Sequence, residues 1–330
     1  MSGTTRGIAV LLMCVACASR VAAQATDNLE ARGERQRVFK LQQAEAKAAA
    51  AQRRAGARIG RGRIGGQAEA SETVSRTVRL EPGGTFDLSN AVGDVTITGG
   101  SGSEANIKAI KTVRAISGER AHVVLPMIRV EIAERGGNVE VRTVHPARAM
   151  GRVDATVDYV VTLPENANLI LRSTSGNFTV QRMASDELSA NTVSGNVTLS
   201  DLKSRLLDLH SVMGNLLLRD IDARRALVQS TAGNVEYAGR FQRTGRYQLQ
   251  THGGNIRVTP SGNPGLDLDA MTYSGDVRSD FVLRGLRERP AGPRGARAQK
   301  FLRGTVGDAG AMLTMSSFSG NIVLVKPETP

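Results

Sequence analysis

Histidine and cysteine could supply a base, a nucleophile or a metal ligand, and this 330-residue chain has few of either. Both cysteines lie within the first 17 residues, in a segment that we expect to be removed. His210 and His252 stand four and two residues before the glycines of two separate repeat copies, so they should not share an ion. A structural or surface role is expected for them and for His122 and His145. The sequence therefore predicts no catalytic residue, no metal site and no cofactor.

A glycine-rich stretch at residues 99–102, Gly-Gly-Ser-Gly, has the composition of a phosphate-binding or calcium-binding loop. It lacks the following Lys-Ser/Thr of a P-loop, and it lacks the regularly spaced Asp of a calcium-binding repeat. We therefore interpret it as a turn.

The densest group of charged side chains lies in residues 284–303, which contain seven Lys or Arg and one acid. Guanidinium groups bind carboxylate and phosphate through forked hydrogen bonds, so these residues are candidates for binding an anionic lipid or polysaccharide. The candidates are Arg284, Arg287, Arg289, Arg294, Arg297, Lys300 and Arg303. Proline, glycine and alanine interrupt the segment, and we expect a mobile loop that leaves the fold. The alternative is a solvated insertion that binds nothing.

A second basic segment, residues 32–63, contains ten Lys or Arg and two acids. The two segments account for the whole formal charge of +12, so the rest of the chain is close to neutral. The chain has no Trp and only 3% aromatic residues, whereas single-stranded nucleic acid is bound on aromatic platforms. Enzymes that cleave polysaccharide also need stacking platforms. The composition argues against a nucleic-acid partner and against a β-helix enzyme acting on polysaccharide.

The elements that must position these residues are copies of a short repeat. A Gly-Asn or Gly-Asp dipeptide, followed by an apolar residue, recurs seven times between residues 169 and 324. The dipeptides are Gly176-Asn177, Gly195-Asn196, Gly214-Asn215, Gly233-Asn234, Gly254-Asn255, Gly275-Asp276 and Gly320-Asn321. Their spacings are 19, 19, 19, 21, 21 and 45 residues, the last being one period plus the Arg-rich insertion. A fixed period near twenty is typical of a solenoid.

Alternation on both sides of the dipeptide predicts strands. Positions seven and five before the glycine and two and four after it are mostly apolar, as in Leu207, Leu209 and Leu216 around Gly214. Position three before the glycine is always Ser or Thr. Because side chains in a strand alternate between two faces, these positions should face an interior, while intervening residues such as Arg172 face outward. The sequence predicts an all-β fold, a parallel, β-helix-like β-solenoid of about 20-residue coils.

The glycine suits a sharp corner because it has no Cβ, and Asn or Asp tolerates the same backbone region. Coils stacked about 4.8 Å apart would align the Asn side chains in a ladder of amides and the Ser/Thr side chains in a ladder of hydroxyls. We interpret all fourteen residues of the seven dipeptides as structural turn residues. Binding of calcium or another ligand by these columns is the alternative.

The first 23 residues predict a secretory signal peptide, with Arg6, an apolar run at 8–18 and Val-Ala-Ala before Gln24. The run is too short to span a bilayer, and we expect no transmembrane helix in the mature chain. Acylation at Cys17 is the alternative. Residues 24–70 predict a basic helical segment and a Gly/Arg linker. We expect an exported protein that is periplasmic, cell-surface or secreted.

Residues 71–165 alternate less regularly but contain two more copies of the signature, Gly93-Asp94 and Gly137-Asn138. They predict an irregular β part that caps the open end of the solenoid, since a solenoid must cover its terminal core edge. The repeats then occupy residues 166–327.

Several of these motifs resemble those of a known family. They are Pro-Gly-Gly-Thr-Phe at 82–86, Gly-Asp-Val at 93–95, Leu-Pro at 163–164 before Leu-Ile-Leu at 169–171, and the repeated Ser-Gly-Asn copies. Over about residues 74–325 the chain resembles the bacterial putative-adhesin family of β-repeat domains of unknown function. The resemblance implies an extracytoplasmic β-repeat domain linked to adhesion or envelope stress, and it supplies no catalytic residues.

Three classes of function follow from the sequence. The first is an exported, non-enzymatic scaffold or adhesin-like binding module whose partner is an envelope or surface component. The second is a binder of anionic lipid or polysaccharide that acts through the basic segments. The third is a polysaccharide-active β-helix enzyme.

Overall fold

The computed structural model describes residues 68–146, 153–262, 265–289 and 300–327. The predicted signal peptide, residues 24–67 of the predicted N-terminal helix and linker, and Arg294 and Arg297 lie outside these ranges, whereas residues 68–70 of that segment are strand. Most described residues form strands, with one short α-helix and one 3-10 turn. The bounds are β1 Ala68–Arg79, β2 Thr85–Val92, β3 Val95–Gly100, β4 Glu104–Ala115, α1 Gly118–Val124, the 3-10 turn Leu125–Met127, β5 Arg129–Arg135, β6 Asn138–Val144, β7 Asp154–Pro164, β8 Asn168–Ser175, β9 Phe178–Ser194, β10 Val197–Met213, β11 Leu216–Ala232, β12 Val235–Gly253, β13 Ile256–Pro260, β14 Leu266–Ser274, β15 Val277–Ser279, β16 Arg284–Arg289, β17 Lys300–Val306, β18 Ala311–Ser319 and β19 Ile322–Leu324.

Continuous pairing joins the described strands into one sheet that winds into a solenoid. Each coil is named here by the glycine of its Gly-Asn or Gly-Asp turn. The parallel pairing is in phase with the repeat, since Leu207 lies opposite Leu188 in the coil before and opposite Ala226 in the coil after. These three side chains are buried. The prediction of a parallel β-solenoid with an apolar interior is confirmed.

Three consecutive coils have a second corner that the alternation alone did not predict. Arg182, Asp201 and Asp220 all have φ near +50°, and each stands six residues after the glycine of its coil. The burial pattern changes phase at this point, with Leu199 and Leu202 both facing inward. The path from one Gly turn to the next is therefore bent more than once, rather than being a simple strand, turn and strand.

The recurring glycine is required by the approach of neighbouring coils. Gly195 has φ of +148°, and a Cβ atom built on it would lie only 2.0 Å from the carbonyl oxygen of Gly176. The same approach recurs at Gly214 and Gly254. No residue with a side chain fits at this corner without moving the coils apart.

The stacking order of the coils differs from their order in the chain at the C-terminal end. β18 pairs with β12 on one side and with β14 on the other, and β19 lies likewise between β13 and β15. The Gly320 coil is thus inserted between the Gly254 and Gly275 coils. The last repeat in the sequence is not the last coil of the stack.

The N-terminal end has the same kind of exchange. β2 and β3 of the Gly93 coil pair with β8 and β9 on one side and with β6 and β7 on the other. Antiparallel strands complete this end, because β4 pairs with β7, β1 pairs with β4, and β5 pairs with β6.

The Arg-rich insertion is a β-hairpin where the structure describes it, and the expectation of a mobile loop that leaves the fold is wrong for its two ends. β17 pairs antiparallel with the outermost repeat strand β14, and β16 pairs antiparallel with β17. Leu302 and Val306 of β17 are buried. An edge strand has unpaired backbone groups that a further strand can pair with, and two inward apolar residues stabilise that pairing.

Candidate functional site

A long groove runs across the coils next to the Gly-Asn corner. Its volume is about 940 Å³. Residues four, three and two positions before the turn glycines line it, from the Gly93 coil to the Gly275 coil. They include Ser89, Asn90, Arg172, Ser173, Thr174, Asn191, Thr192, Val193, His210, Ser211, Val212, Gln229, Ser230, Thr231, Gln250, Thr251, His252, Met271, Tyr273, Ser316, Ser317 and Phe318. We call it the axial groove.

The groove wall four residues before each glycine is nearly neutral, and it is polar in every coil but that of Gly275, where Met271 stands. Gln229 Nε2 donates to Gln250 Oε1 at 3.2 Å, which links two adjacent coils. Arg172 is the one Lys or Arg among the described lining residues, and its guanidinium lies 2.6 Å from a carboxylate oxygen of Asp87. His210 Nε2 lies 2.9 Å from Asp208 Oδ1. A surface of this kind suits a ligand rich in hydroxyl or amide groups.

The groove floor is the Ser/Thr column, and its hydrogen bonding differs along the stack. Towards the C-terminal end, Thr251 Oγ1 donates to Gly233 O at 3.0 Å and Ser317 Oγ donates to Gly254 O at 3.0 Å. In three N-terminal coils, the hydroxyls of Ser173, Thr192 and Ser211 are buried without a partner among the described residues. Buried polar atoms are normally hydrogen-bonded, so this half of the floor has spare polar capacity.

Three aromatic side chains follow one another at the C-terminal end of the axial groove. The rings of His252 and Phe318 are stacked, with centroids 4.6 Å apart and an interplanar angle of 3°. Tyr273 and Phe318 have centroids 5.5 Å apart, and both side chains are about half exposed, at 50% and 48%. The row exists because the Gly320 coil is inserted between the other two. We call these three residues the aromatic row.

Sequence reasoning missed the axial groove and the aromatic row. An alignment of the copies does place His252, Tyr273 and Phe318 at the same offset, two residues before their glycines. However, the chain order separates Phe318 from the other two, and only the stacking order makes the three contiguous. The structure brings His210 and His252 to one groove, but on coils that are not adjacent.

The Asn column at the Gly corner forms a continuous ladder of hydrogen bonds. The backbone N–H of Asn196 donates to Asn177 Oδ1 at 3.0 Å, and Asn196 Nδ2 donates to the same oxygen at 3.3 Å. The same backbone bond recurs at Asn215, Asn234, Asn255 and Asn321. The side chains are thus engaged with one another.

Carboxylates stand at both ends of the ladder, and each accepts a hydrogen bond. Asp158 Oδ1 accepts from the Asp94 N–H at 2.8 Å at one end. Asp276 donates its N–H to Asn321 at the other end, and its own carboxylate accepts from Lys300 Nζ at 2.6 Å. This hydrogen bond and the nearby positive charge lower the pKa of Asp276 from its ordinary value.

The seven candidate anion-binding residues of the insertion do not form one free set. Lys300 pairs with Asp276, and Arg303 Nε lies 2.8 Å from Asp269 Oδ1; that contact raises the pKa of Arg303. Arg284 and Arg287 are exposed on β16 and have no ion-pair partner among the described residues. Arg289 ends the same strand.

The described residues provide neither a metal-binding cluster nor a membrane-spanning helix. No group of three or more His, Cys, Asp or Glu side chains there is placed to hold a metal ion. The helices in the same ranges are also too short or too polar to cross a membrane.

The family model Toastrack DUF4097 matches residues 66–324. No curated protein matches the chain.

Solved structures similar to this chain include two proteins described in terms of adhesion. A putative cell adhesion protein from Clostridium sporogenes is 12% identical, with 78% of this chain and 100% of that chain covered and a TM-score of 0.35. A putative adhesin from Bacteroides fragilis is 10% identical, with coverage of 77% and 97% and a TM-score of 0.39. A putative lipid binding protein from Parabacteroides distasonis is 10% identical, with coverage of 77% and 97% and a TM-score of 0.30.

Proposed function

Because this chain belongs to the Toastrack DUF4097 family, we propose that it is an exported, non-enzymatic binding module that holds a neutral glycan of the cell envelope or surface in its axial groove. The observation that carries the proposal is the groove itself, a nearly neutral surface of mixed polar and apolar side chains that crosses the stacked coils and ends at the aromatic row.

The shape of the groove favours a polymer over a small molecule. The same three positions of each coil line it, so the lining changes little from one coil to the next. Adjacent coils are about 4.8 Å apart, which is comparable to the length of one sugar ring in an extended glycan. A ligand with a short repeat along its own axis can therefore make similar contacts on successive coils.

The chemistry of the lining favours sugar. Sugar hydroxyls both donate and accept, and so do the amides of Asn191, Gln229 and Gln250. The exposed rings of Phe318 and Tyr273 offer apolar surface for the C–H face of a sugar. An anionic polymer would instead call for free cations, and the one guanidinium among the described lining residues is paired with Asp87.

The lining residues support binding of a glycan without its cleavage. Glycoside hydrolysis ordinarily uses a pair of carboxyl groups that flank the scissile bond. The described residues that line the axial groove include neither Asp nor Glu.

The test compares two glutamines on one strand. Gln250→Ala removes an amide from the groove wall, whereas Gln248→Ala removes an exposed amide two residues away that does not line the groove. Binding of purified neutral envelope polysaccharides to immobilised protein should fall for Gln250→Ala and for Phe318→Ala and stay unchanged for Gln248→Ala. Equal binding by all variants would reject the groove as the site.

A second candidate function is binding of an anionic lipid surface by the insertion, and the exposure of Arg284 and Arg287 favours it. Each basic side chain near an anionic membrane contributes on the order of 1 kcal/mol, and salt should weaken the effect. Changing Arg287, Arg289, Arg294 and Arg297 to Ser should abolish co-sedimentation with anionic liposomes at low salt and leave the melting temperature unchanged. If the wild type and the quadruple variant sediment identically with the liposomes, the hairpin is a solvated insertion that does not bind lipid.

Export is the remaining part of the proposal, and residues 1–23 would direct it. Cell fractionation and N-terminal sequencing of the mature protein test this part. The expected N-terminus is Gln24, and a protein recovered from the cytoplasm with residues 1–23 intact would contradict it.

A further inference from the structure

A cluster of arginines lies at a corner of the solenoid that contributes nothing to the axial groove. Arg205, Arg224, Arg225 and Arg246 come from three consecutive coils, and all four are exposed. They surround a cavity of about 440 Å³ together with Leu206 and Thr244. We call it the arginine pocket. Its lining residues and those of the groove do not overlap.

The arginine pocket is produced by an irregularity in the Gly233 coil, which is two residues longer than the coil before it. Pairing between β11 and β12 runs from Ala223 opposite Phe241 to Arg225 opposite Arg246. Four residues of β12 therefore bulge out where β11 has one. The bulge forms a wall of the cavity, so the pocket has a shape that the regular coils lack.

The bulge is held in place from beneath by Tyr247. The Gln242 N–H donates to Tyr247 Oη at 2.9 Å, and Tyr247 Oη in turn donates to the carbonyl oxygen of Ala223. Gly245 packs so closely on the Tyr247 ring that a Cβ would lie 2.6 Å from it. Gln242 also donates to Asp222 Oδ1 at 2.8 Å. The wall that carries Arg246 is thus a fixed part of the fold.

The charges of the pocket are largely uncompensated. Arg225 lies directly opposite Arg246 on the neighbouring strand, and like charges in that position repel each other. The nearest acid to Arg205 is Asp186, with Nε to Oδ1 of 3.8 Å and both side chains mostly exposed. Among the described residues, Arg224, Arg225 and Arg246 have no carboxylate within ion-pair distance. Such an arrangement is favourable when an anion lies between the guanidinium groups.

We propose that the arginine pocket binds a phosphate monoester carried by a small molecule or a lipid headgroup. Several guanidinium groups around one cavity match the three terminal oxygens and the near-double charge of a monoester, which they can hold through paired N–H donors. The cavity volume lies within the range of small-molecule sites, about 300–1,000 Å³. This activity is separate from glycan binding in the axial groove, and either one can fail without the other.

The experiment compares two double variants that lose the same charge. Arg225→Gln with Arg246→Gln, the pocket variant, removes the two guanidinium groups that face each other in the arginine pocket. The control variant, Arg219→Gln with Arg257→Gln, removes two exposed arginines that line neither the arginine pocket nor the axial groove. Titration calorimetry at low ionic strength measures binding of glucose 6-phosphate and of inorganic phosphate, with glucuronate as a carboxylate comparison. All the changed side chains are exposed, so circular dichroism and melting temperature should match the wild type.

We expect the pocket variant to raise the dissociation constant for glucose 6-phosphate about tenfold or more, while the control variant binds as the wild type does. Glucuronate should bind more weakly than the monoester, because it carries a single charge and two oxygens. Equal weakening in both variants would show a general charge effect and overturn the proposal. So would a wild-type protein that binds neither phosphate compound, or one that prefers glucuronate.

A vesicle arm distinguishes the two sources of the phosphate group. Wild-type protein and the pocket variant, each with Arg287, Arg289, Arg294 and Arg297 also changed to Ser so that the hairpin does not contribute, are sedimented with phosphatidylcholine vesicles with and without phosphatidic acid, whose headgroup is a phosphate monoester. Retention of the wild type alone on phosphatidic acid, together with binding of the soluble ester, assigns the pocket to a lipid headgroup. Binding of the soluble ester without retention assigns it to a soluble phosphorylated compound. Retention of the protein on phosphatidic acid vesicles without binding of glucose 6-phosphate or inorganic phosphate would contradict the proposal that the arginine pocket binds a phosphate monoester.

Discussion

Replacing Gly195 by alanine should destabilise the solenoid far more than the loss of one hydrogen atom suggests. The new Cβ would lie 2.0 Å from the carbonyl oxygen of Gly176, whereas ordinary contacts begin near 3.4 Å. The atom that it meets is backbone and cannot rotate away. Neighbouring coils must therefore separate locally by more than 1 Å, the shortfall between those two distances.

The magnitude follows from what the separation breaks. A side chain at φ of +148° strains the backbone by about 1–3 kcal/mol. The hydrogen bonds from the Gly176 N–H to Ser194 O at 2.9 Å and from the Asn196 N–H to Asn177 Oδ1 at 3.0 Å are stretched, and each contributes about 1 kcal/mol. The expected loss in free energy of unfolding is about 3–5 kcal/mol.

The assay is thermal unfolding monitored by circular dichroism, with Gly136→Ala as the matched control. Gly136 has φ of +56°, but a Cβ there would have nothing within 4 Å, so the control measures backbone strain of about 1–2 kcal/mol alone. At about 2–4 °C per kcal/mol, Gly195→Ala should lower the melting temperature by roughly 6–20 °C and Gly136→Ala by much less. A drop at Gly195 no larger than the drop at Gly136 would refute the close-approach argument.

Three further outcomes are expected. Leu207→Asp places a charge in the fully buried core and should unfold the array, a loss of about 4–5 kcal/mol or more; an unchanged melting temperature would contradict the solenoid interior. Burial raises the pKa of Tyr159 to about 12, although a hydrogen bond with Thr143 acts in the opposite direction. The buried neutral Tyr159 therefore contributes its full stabilisation below pH 10, and this contribution is lost as the pH rises from 10 to 12. That loss is on the order of 2–3 kcal/mol, and Tyr159→Phe should show a smaller alkaline decrease in chemical denaturation than the wild type. Lys300→Met should raise the pKa of Asp276 towards its ordinary value in an NMR titration, and an unmoved pKa would mean that Lys300 does not set it.

The repeat pattern predicted which way each side chain faces because that information is local. Leu207, Leu209 and Ser211 alternate with outward residues over a few positions, and a strand can bury only every second side chain. The glycine was predictable for the same reason, since a corner at each period needs a residue without a Cβ. The Asn ladder also followed from local chemistry once like residues were stacked in register.

The order of the coils could not be predicted from the repeat. Every copy carries the same turn signature and the same inward columns, so any two copies can stack, and local pattern does not distinguish partners. The structure places the Gly320 coil between the Gly254 and Gly275 coils through pairing of β18 with β12 and β14. The hairpin of β16 and β17 then covers the edge that β14 leaves open, which the prolines and glycines of the insertion did not indicate.

The candidate sites depend on that non-local order. The sequence by itself determined an all-β solenoid, its glycine corners and its buried columns, because period and turn chemistry are properties of neighbouring residues. Only the tertiary structure decided that His252, Phe318 and Tyr273 form one row, and that a bulge sets Arg225 opposite Arg246. Those contacts join residues from different coils, and their partners are chosen by the stacking of whole coils rather than by any pattern within one.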